Sequence, residues 1–393
     1  MNIAIITSYW PSKRNQISGI FVAQQADAIA RSGAKVTVFR DRAIGRFEPE
    51  LLSMSDLGFP NSRVDIKHYP VLRLPEKLSF IPGFVNFNTR LYGFFIHKYI
   101  LKVLDIKGPI EGAVVHGLRY GGFSLPFWRK LIKGNIIPVC HGVDPFLIES
   151  SSFENCAYLT QKMVKASERV VLVGNALKDH ARSLNIPQNR ICVVPNGCNL
   201  PKPDCVSDSQ RPLHSKRRLI SVSNLVSLKG IDFNLRALAR IQVECPKLDW
   251  EYIIIGDGPS REHLRKLSVS LGVFARVRFL GRLPYEETMN QICTADVFSL
   301  PSWGEAFGIV YLEAMARVRP VIGCLQNGAE DIITHNKEGL LVNPKDEEAL
   351  TEALKTLLTD PELCRVMGNL GRQTSKRFSW DANARTLIDL LHS

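Results

Sequence analysis

An alternation of short apolar runs, glycine-bearing turns and helix-periodic stretches occurs twice in this chain, and it leaves few folds open. The first round opens with Asn2–Thr7, a short apolar run between polar residues, followed by a loop through Pro11, Lys13, Arg14 and Gly19. Phe21–Arg31 then places Phe21, Ala23, Ala26, Ile29 and Ala30 at helical spacing, Gly33 stops the helix, and Lys35–Phe39 is a second strand. Strand, helix, strand in that order is a right-handed crossover, and it requires a parallel sheet. Further strands are expected at Gly112–Val115, Ile136–Cys140, Arg169–Val173 and Ile191–Val194, each ending in a glycine or polar turn. Residues 201–217 carry three prolines, several Ser and Asp and few apolar residues, and read as a linker. The alternation then restarts, with strands at Arg218–Val222, Trp250–Ile255, Val277–Leu280, Val297–Leu300, Val321–Gly323 and Gly339–Val342 and helices at Gly230–Ile241 and Ser260–Leu271. Two doubly wound α/β domains follow, and in such sheets ligands bind beyond the carboxyl ends of the strands.

The bulk properties agree. A chain of 393 residues is long for a single domain. No apolar run reaches the roughly 18–20 residues that span a bilayer, and the first ten residues read as a strand rather than a leader peptide. The nine cysteines contain no C-x-x-C pair, as expected of reduced, buried thiols. A cytoplasmic protein is therefore expected, with the cytoplasmic face of the membrane as a second location. Residues 1–200 hold 25 Lys and Arg against 14 Asp and Glu, whereas residues 201–393 hold 25 against 24. The basic first half suits an anionic partner such as lipid headgroups or a diphosphate-linked acceptor. Nucleic acid is not expected, because only Lys216-Arg217-Arg218 forms a basic run. Residues 78–105 interleave Phe80, Phe84, Phe87, Tyr92, Phe94, Phe95 and Tyr99 with Arg90, Lys98 and Lys102, which fits either a core-facing helix or a membrane-facing one.

The stretch Leu300–Glu330 carries the most chemistry. A strand-end loop with Glu305 leads into a helix expected to start near Gly308 and to end about Arg317. Backbone N–H groups at such a helix start, Ile309 included, favour a diphosphate. Glu313 lies about one and a half turns into the helix, where it can accept from a ribose diol, and Glu305 can accept from sugar hydroxyls.

With Pro301, Ser302, Glu305, Phe307, Gly308, Glu313, Ala314, Met315 and Ala316 in that order, this segment strongly resembles the signature of the family-4 retaining glycosyltransferases of GT-B fold. Shorter pieces follow the family in order along nearly the whole chain: the glycine loop ending Gly19-Ile20-Phe21, His141-Gly142-Val143-Asp144, Pro195-Asn196-Gly197, Lys229-Gly230 and Gly256-Asp257-Gly258-Pro259. The resemblance implies two Rossmann-like domains facing a central cleft. Residues 1–200 would bind the acceptor, 201–217 link, 218–375 bind the nucleotide sugar, and 376–393 cross back as a helix. It implies a hexosyltransferase of the bacterial surface-polysaccharide type, moving a sugar from a nucleoside diphosphate to a glycan or lipid-diphosphate-linked hydroxyl with retention. The implied catalytic residues are Glu305, Lys229 and His141. The implied donor ligands are Glu313, Asn224, Phe307, Gly308, Ile309, Gly258 and Gly19, and the acceptor ligands His116 and Asp144.

The chain also departs from the family. Asn224 stands where a phosphate-gripping arginine is usual, Val318 where a glycine is usual, and Asn327-Gly328-Ala329 where two adjacent glycines are usual. There is no Asp-x-Asp motif and no His/Cys cluster with ligand spacing, so no metal or other cofactor is expected, with Lys229 and the helix start in the cation's place. Gly256-Asp257-Gly258 lacks the third glycine of a dinucleotide fingerprint. The rival readings are a sugar-nucleotide epimerase of the same architecture, in which the two spaced glutamates would be missing, and a non-catalytic binding protein.

Overall fold

The computed structural model describes residues 1–44, 50–72, 83–142, 153–201 and 216–393. The chain divides into two compact units, the first formed by Met1–Gly197 with Trp380–Ser393 and the second by Cys198–Ser379. Most of the expected linker, residues 202–215, lies outside the described residues, as does Asp144.

In the first unit seven strands make one sheet in which every pairing is parallel. They are β1 (Asn2–Thr7), β2 (Lys35–Ala43), β3 (Val64–Val71), β4 (Gly112–His116), β5 (Ile136–Cys140), β6 (Val170–Leu172) and β7 (Ile191–Val193). The order is β3-β2-β1-β4-β5-β6-β7, so the winding reverses between β1 and β4. The strands β1, β4, β5 and β6 are buried almost throughout, as a sheet covered on both faces requires. Strand β3 was not among the sequence expectations. Its run VDIKHYPV mixes charge with apolar residues, and only Tyr69 and Val71 are buried. As an edge strand it tolerates Pro70, which cannot donate to a ladder.

Helix α1 (Ile20–Arg31) follows β1, and helix α2 (Phe84–Lys107) precedes β4. On α2 the residues Tyr92, Ile96, Ile100 and Val103 are buried in the core with Trp128 and Tyr69. Their spacing is that of a single helical stripe. The other face of α2 exposes Phe87, Phe94, Leu101 and Ile106, interleaved with exposed Arg90, Lys98 and Lys102. The core-facing expectation is met on one face of α2, the other face meets solvent, and Phe80 lies outside the described residues.

The C-terminal helix, Trp380–His392, packs on α1. Trp380 Nε1 donates to Gln24 Oε1 at 3.0 Å, and Gln25 Nε2 donates to Asn383 Oδ1 at 2.8 Å. Asn383 Nδ2 in turn donates to the carbonyl of Pro195 at 2.7 Å. These buried polar pairs fix the returning helix in one register, since leaving any one of them unmade would cost about 1–3 kcal/mol.

The second unit holds a six-stranded parallel sheet of β8 (Arg217–Val222), β9 (Trp250–Ile255), β10 (Val277–Gly281), β11 (Val297–Ser299), β12 (Val321–Cys324) and β13 (Gly339–Val342). Its order is β10-β9-β8-β11-β12-β13, and the winding reverses between β8 and β11. Both units are thus doubly wound parallel α/β folds, and each offers a crevice where its strand order reverses. No helix among the described residues is long and apolar enough to cross a membrane.

Candidate active site

In the second unit the loops after β8, β9, β11 and β12 are locked together by backbone contact. Gly256, at φ +129°, sits so close to Ser223 that an added Cβ would lie 1.8 Å from its carbonyl oxygen. At Gly258 a Cβ would lie 2.5 Å from the carbonyl oxygen of Leu225. Leu225 N donates to the carbonyl of Asp257 at 3.0 Å. Gly258, an implied donor ligand, and its neighbour Gly256 therefore serve to bring two strand ends into contact. Asn224 is exposed at the tip of the β8 turn.

Lys229 closes a short 3₁₀ turn, Ser227–Lys229, and Gly230 at φ +67° begins the helix Ile231–Glu244. A Cβ on Gly230 would lie 2.3 Å from the carbonyl oxygen of Pro301, so this turn lies directly against the loop after β11. That proximity lets Lys229 Nζ reach Glu305 Oε2 at 2.6 Å, with the two side chains 16% and 17% exposed. Loop 301–308 is pinned from several sides. Trp303 N donates to the carbonyl of Leu228 at 3.0 Å, and Gly328 N donates to the carbonyl of Glu305 at 2.8 Å. Asn327 Nδ2 donates to the carbonyl of Ser302 at 2.8 Å. Gly328 is so tightly held that a Cβ would meet the backbone of Ala306 and Phe307 at 2.4 Å. The sequence departures at Asn327 and Ala329 thus sit in the tie that places Glu305, and Asn327 takes part in it through its side chain.

Gly308, at φ +91°, begins helix α3 (Ile309–Ala316) by turning the chain through the left-handed region. Its first turn contains no acidic residue and no side-chain cap, so the positive end of the helix is not neutralised internally. Phe307 is buried, while Ile309 is partly exposed. Glu313 is 8% exposed, and burial pushes its carboxyl up to about 7 against the opposing pull of Arg317 and the Tyr285 hydroxyl. A buried acid so perturbed is an unfavourable choice for stability alone, which marks it as a functional candidate. Just beyond the helix, Val318 occupies φ +60°, a left-handed conformation that costs a β-branched residue about 1–2 kcal/mol. The family pattern has glycine at that place, and the structure supplies the reason.

In the first unit a second group gathers at the ends of β1, β4 and β5. Gly19, at φ +79°, begins α1, and a Cβ there would lie 2.5 Å from the amide nitrogen of Trp10. His116 is the last residue of β4, and His141 follows β5 directly. Their rings stack at 16° with centroids 5.0 Å apart, and His116 Nδ1 lies 2.7 Å from His141 Nε2. Phe21 packs on His141 at 4.7 Å between centroids, and Tyr9 meets it edge-on at 6.1 Å. His116 is 2% exposed, so it lies beneath His141 rather than beside it. Burial, and for His116 also the neighbouring His141, holds both imidazoles below their ordinary values, His141 down to about 3, so both are neutral at pH 7. Tyr9 and Phe21 were not assigned site roles from sequence. Aromatic residues flanking a glycine loop carry no signal of their own until the fold places them against the histidines.

Among the described residues no three His, Cys, Asp or Glu side chains converge as metal ligands. Within one unit the structure brings together Lys229, Glu305, Gly308 and the start of the helix that carries Glu313. Within the other it brings together Gly19, His116 and His141.

Doubly wound units whose strand-end loops carry this lysine, glutamate pair and unneutralised helix start define a glycosyltransferase class. Residues 207–374 match the family described as glycosyl transferases group 1, and residues 18–202 match glycosyltransferase family 4. D-inositol 3-phosphate glycosyltransferase of Corynebacterium efficiens is 33% identical over 94% of this chain and 89% of its own length. The enzyme of the same name from Corynebacterium glutamicum is 32% identical over 94% and 90%. Among solved structures, sucrose-phosphate synthase from Thermosynechococcus elongatus superposes with a TM-score of 0.77 at 22% identity, covering 100% of this chain and 98% of its own. Anabaena HepE in complex with UDP-glucose superposes at 0.69 with 17% identity, covering 100% and 99%. The chain belongs to glycosyltransferase family 4 and has the GT-B class of fold.

Proposed function

We propose that this glycosyltransferase moves a hexose from a nucleoside diphosphate to a hydroxyl of a glycan or lipid-linked acceptor, with net retention at the anomeric carbon, in the assembly of a cell-surface polysaccharide or glycolipid. The observation that carries this reading is the Lys229–Glu305 pair, 2.6 Å apart and mostly buried, beside an uncapped helix start. Lys229 and the helix amides neutralise the diphosphate as it becomes the leaving group, which takes the place of a metal ion. Glu305 accepts hydrogen bonds from the hydroxyls of the transferred sugar, and Glu313 accepts from the ribose diol. His141 donates to a sugar hydroxyl. With no second carboxylate placed as a nucleophile in this reading, the departing phosphate takes the acceptor proton, and rate comes from positioning and electrostatics.

The relatives support a phosphorylated or lipid-borne acceptor. The Corynebacterium enzymes are named for D-inositol 3-phosphate, and a mannosyltransferase 34% identical over 44% of this chain is named for GDP-mannose and a phosphatidylinositol mannoside. Product analysis by NMR tests the reaction: the new glycosidic carbon keeps the anomeric configuration of the donor sugar. An inverted product would overturn the retaining assignment.

The exposed face of α2 supports a peripheral membrane contact. Phe87, Phe94 and Leu101 recur every seven residues along one side, with Arg90 and Lys98 between them and Lys102 next to Leu101, a pattern suited to an anionic lipid surface. Sedimentation with phosphatidylglycerol vesicles should retain the protein at low salt. Replacing Phe87 and Phe94 by serine should release it, and unchanged retention by that variant would count against this face.

A further inference from the structure

The two histidines form a unit whose proton arrangement the surroundings determine. Both rings are neutral, so one proton lies between His116 Nδ1 and His141 Nε2, and one nitrogen donates to the other across 2.7 Å. His116 Nε2 is fully buried and has no hydrogen-bond partner among the described residues. If His141 donated, His116 would have to carry its own proton on that Nε2, leaving a buried N–H without an acceptor. Orphaned donors are the rarer and costlier defect. If His116 donates instead, its Nε2 keeps only a lone pair, and Nε2 of His141 is occupied as an acceptor. His141 must then carry its proton on Nδ1.

From this geometry, and resting on the functional reading above, we propose that His116 is a positioning residue that locks His141 in the Nδ1–H tautomer. The lock makes His141 a one-way donor. Nδ1 offers a hydrogen to an incoming sugar hydroxyl, and Nε2 is unavailable to it. Phe21 packs at 4.7 Å on the His141 ring, and Tyr9 closes its edge, so the ring has little freedom to flip and exchange the two nitrogens. The arrangement follows from chain register. His116 pairs with Val139 in the sheet, and position 141 lies two residues further on, so both rings emerge on the same face of the sheet with His116 the deeper of the two. His116 thus acts on the reaction through His141, not by touching the acceptor.

Ring-nitrogen NMR of the 15N-histidine-labelled full chain tests this without any substrate. The wild type should show His141 protonated on Nδ1 and bare on Nε2. In His116→Asn the side-chain amide falls near the place of the imidazole Nδ1 and can still donate, so the tautomer should persist. In His116→Leu, which fills the buried space but donates nothing, His141 should shift toward Nε2–H. Transfer should follow the tautomer: kcat falls about 10-fold or more in His116→Leu, with donor KM little changed, and His116→Asn recovers most of it. Nε2–H on His141 in the wild type would overturn the proposal, as would a His116→Leu protein with unchanged tautomer and kcat. Because the tautomer is read in the resting protein, its failure is distinct from a failure of the glycosyl-transfer reading, which would show as an absence of product in the wild type.

Discussion

Replacing Lys229 or Glu305 by alanine should abolish sugar transfer, lowering kcat by at least about 100-fold, the scale set by loss of one electrostatic contact to a developing charge. The two side chains are partners at 2.6 Å in the resting protein and only 16% and 17% exposed. Each single variant therefore leaves a mostly buried charge unpaired, which costs about 1–3 kcal/mol, and it should unfold at lower temperature while keeping its secondary structure. A paired replacement, Lys229→Met with Glu305→Gln, removes both charges together and should recover much of that stability without recovering transfer. This separates the two roles of the pair. Stability asks only that the charges match each other, whereas chemistry needs a cation at the diphosphate and a carboxylate at the sugar. Turnover comparable to the wild type in either single variant would remove the pair from the site.

The second large effect runs in the opposite direction for stability. Glu313 has its carboxyl pushed up to about 7 by burial, above the roughly 4.3 of an unfolded chain. The native state therefore holds a proton that the unfolded state has released, throughout the interval between those values. Its stabilising effect is complete below pH ~4.3 and is lost as pH rises through about 7, leaving a buried carboxylate that costs about 3 kcal/mol in alkaline solution. Glu313→Gln cannot ionise. At pH 8 it should be more stable than the wild type by about 2–3 kcal/mol, a rise of roughly 4–8 °C in Tm, and the difference should shrink steadily on acidification until the two melt together near pH ~4. The same variant should bind the donor about 10-fold or more weakly, because an amide offers one acceptor oxygen where a ribose diol asks for two. A residue that destabilises the empty protein and is nevertheless present is what a functional site predicts. Equal melting of the two proteins across pH 5–8 would show that Glu313 is not the strained acid described here.

Much of this was readable in the sequence, for identifiable reasons. Strands such as Asn2–Thr7, Ile136–Cys140, Trp250–Ile255 and Gly339–Val342 are largely apolar runs with glycine or polar turns at their ends, and the structure places them at those bounds. The segment around Glu305 and Glu313 was legible because glycine at a helix start and two spaced carboxylates have few other uses. Strand β3 was not legible, because Asp65, Lys67, His68 and Pro70 break every simple pattern and only its place at the sheet edge permits them. The pairing of His116 with His141 was also hidden. The residues are 25 positions apart, and their contact depends on the parallel register of β4 and β5. Val318 was visible as a departure from the family pattern, but its left-handed backbone needed the structure. Asn327 likewise stood out by type, and only its hydrogen bond to Ser302 shows that it braces the glutamate loop.

The claim beneath all of these results is that a sugar-bearing nucleoside diphosphate is grasped in the second unit by a cation, two acids and the open start of a helix. Isothermal titration calorimetry of the full-length protein with UDP-, GDP- and ADP-sugars, repeated on Lys229→Ala and Glu313→Gln, examines it without needing the acceptor. The account predicts saturable one-to-one binding of at least one of these donors to the wild type, weakened about 10-fold or more in each variant. Binding that is equally tight in all three proteins, or heat from none of the donors, would contradict it.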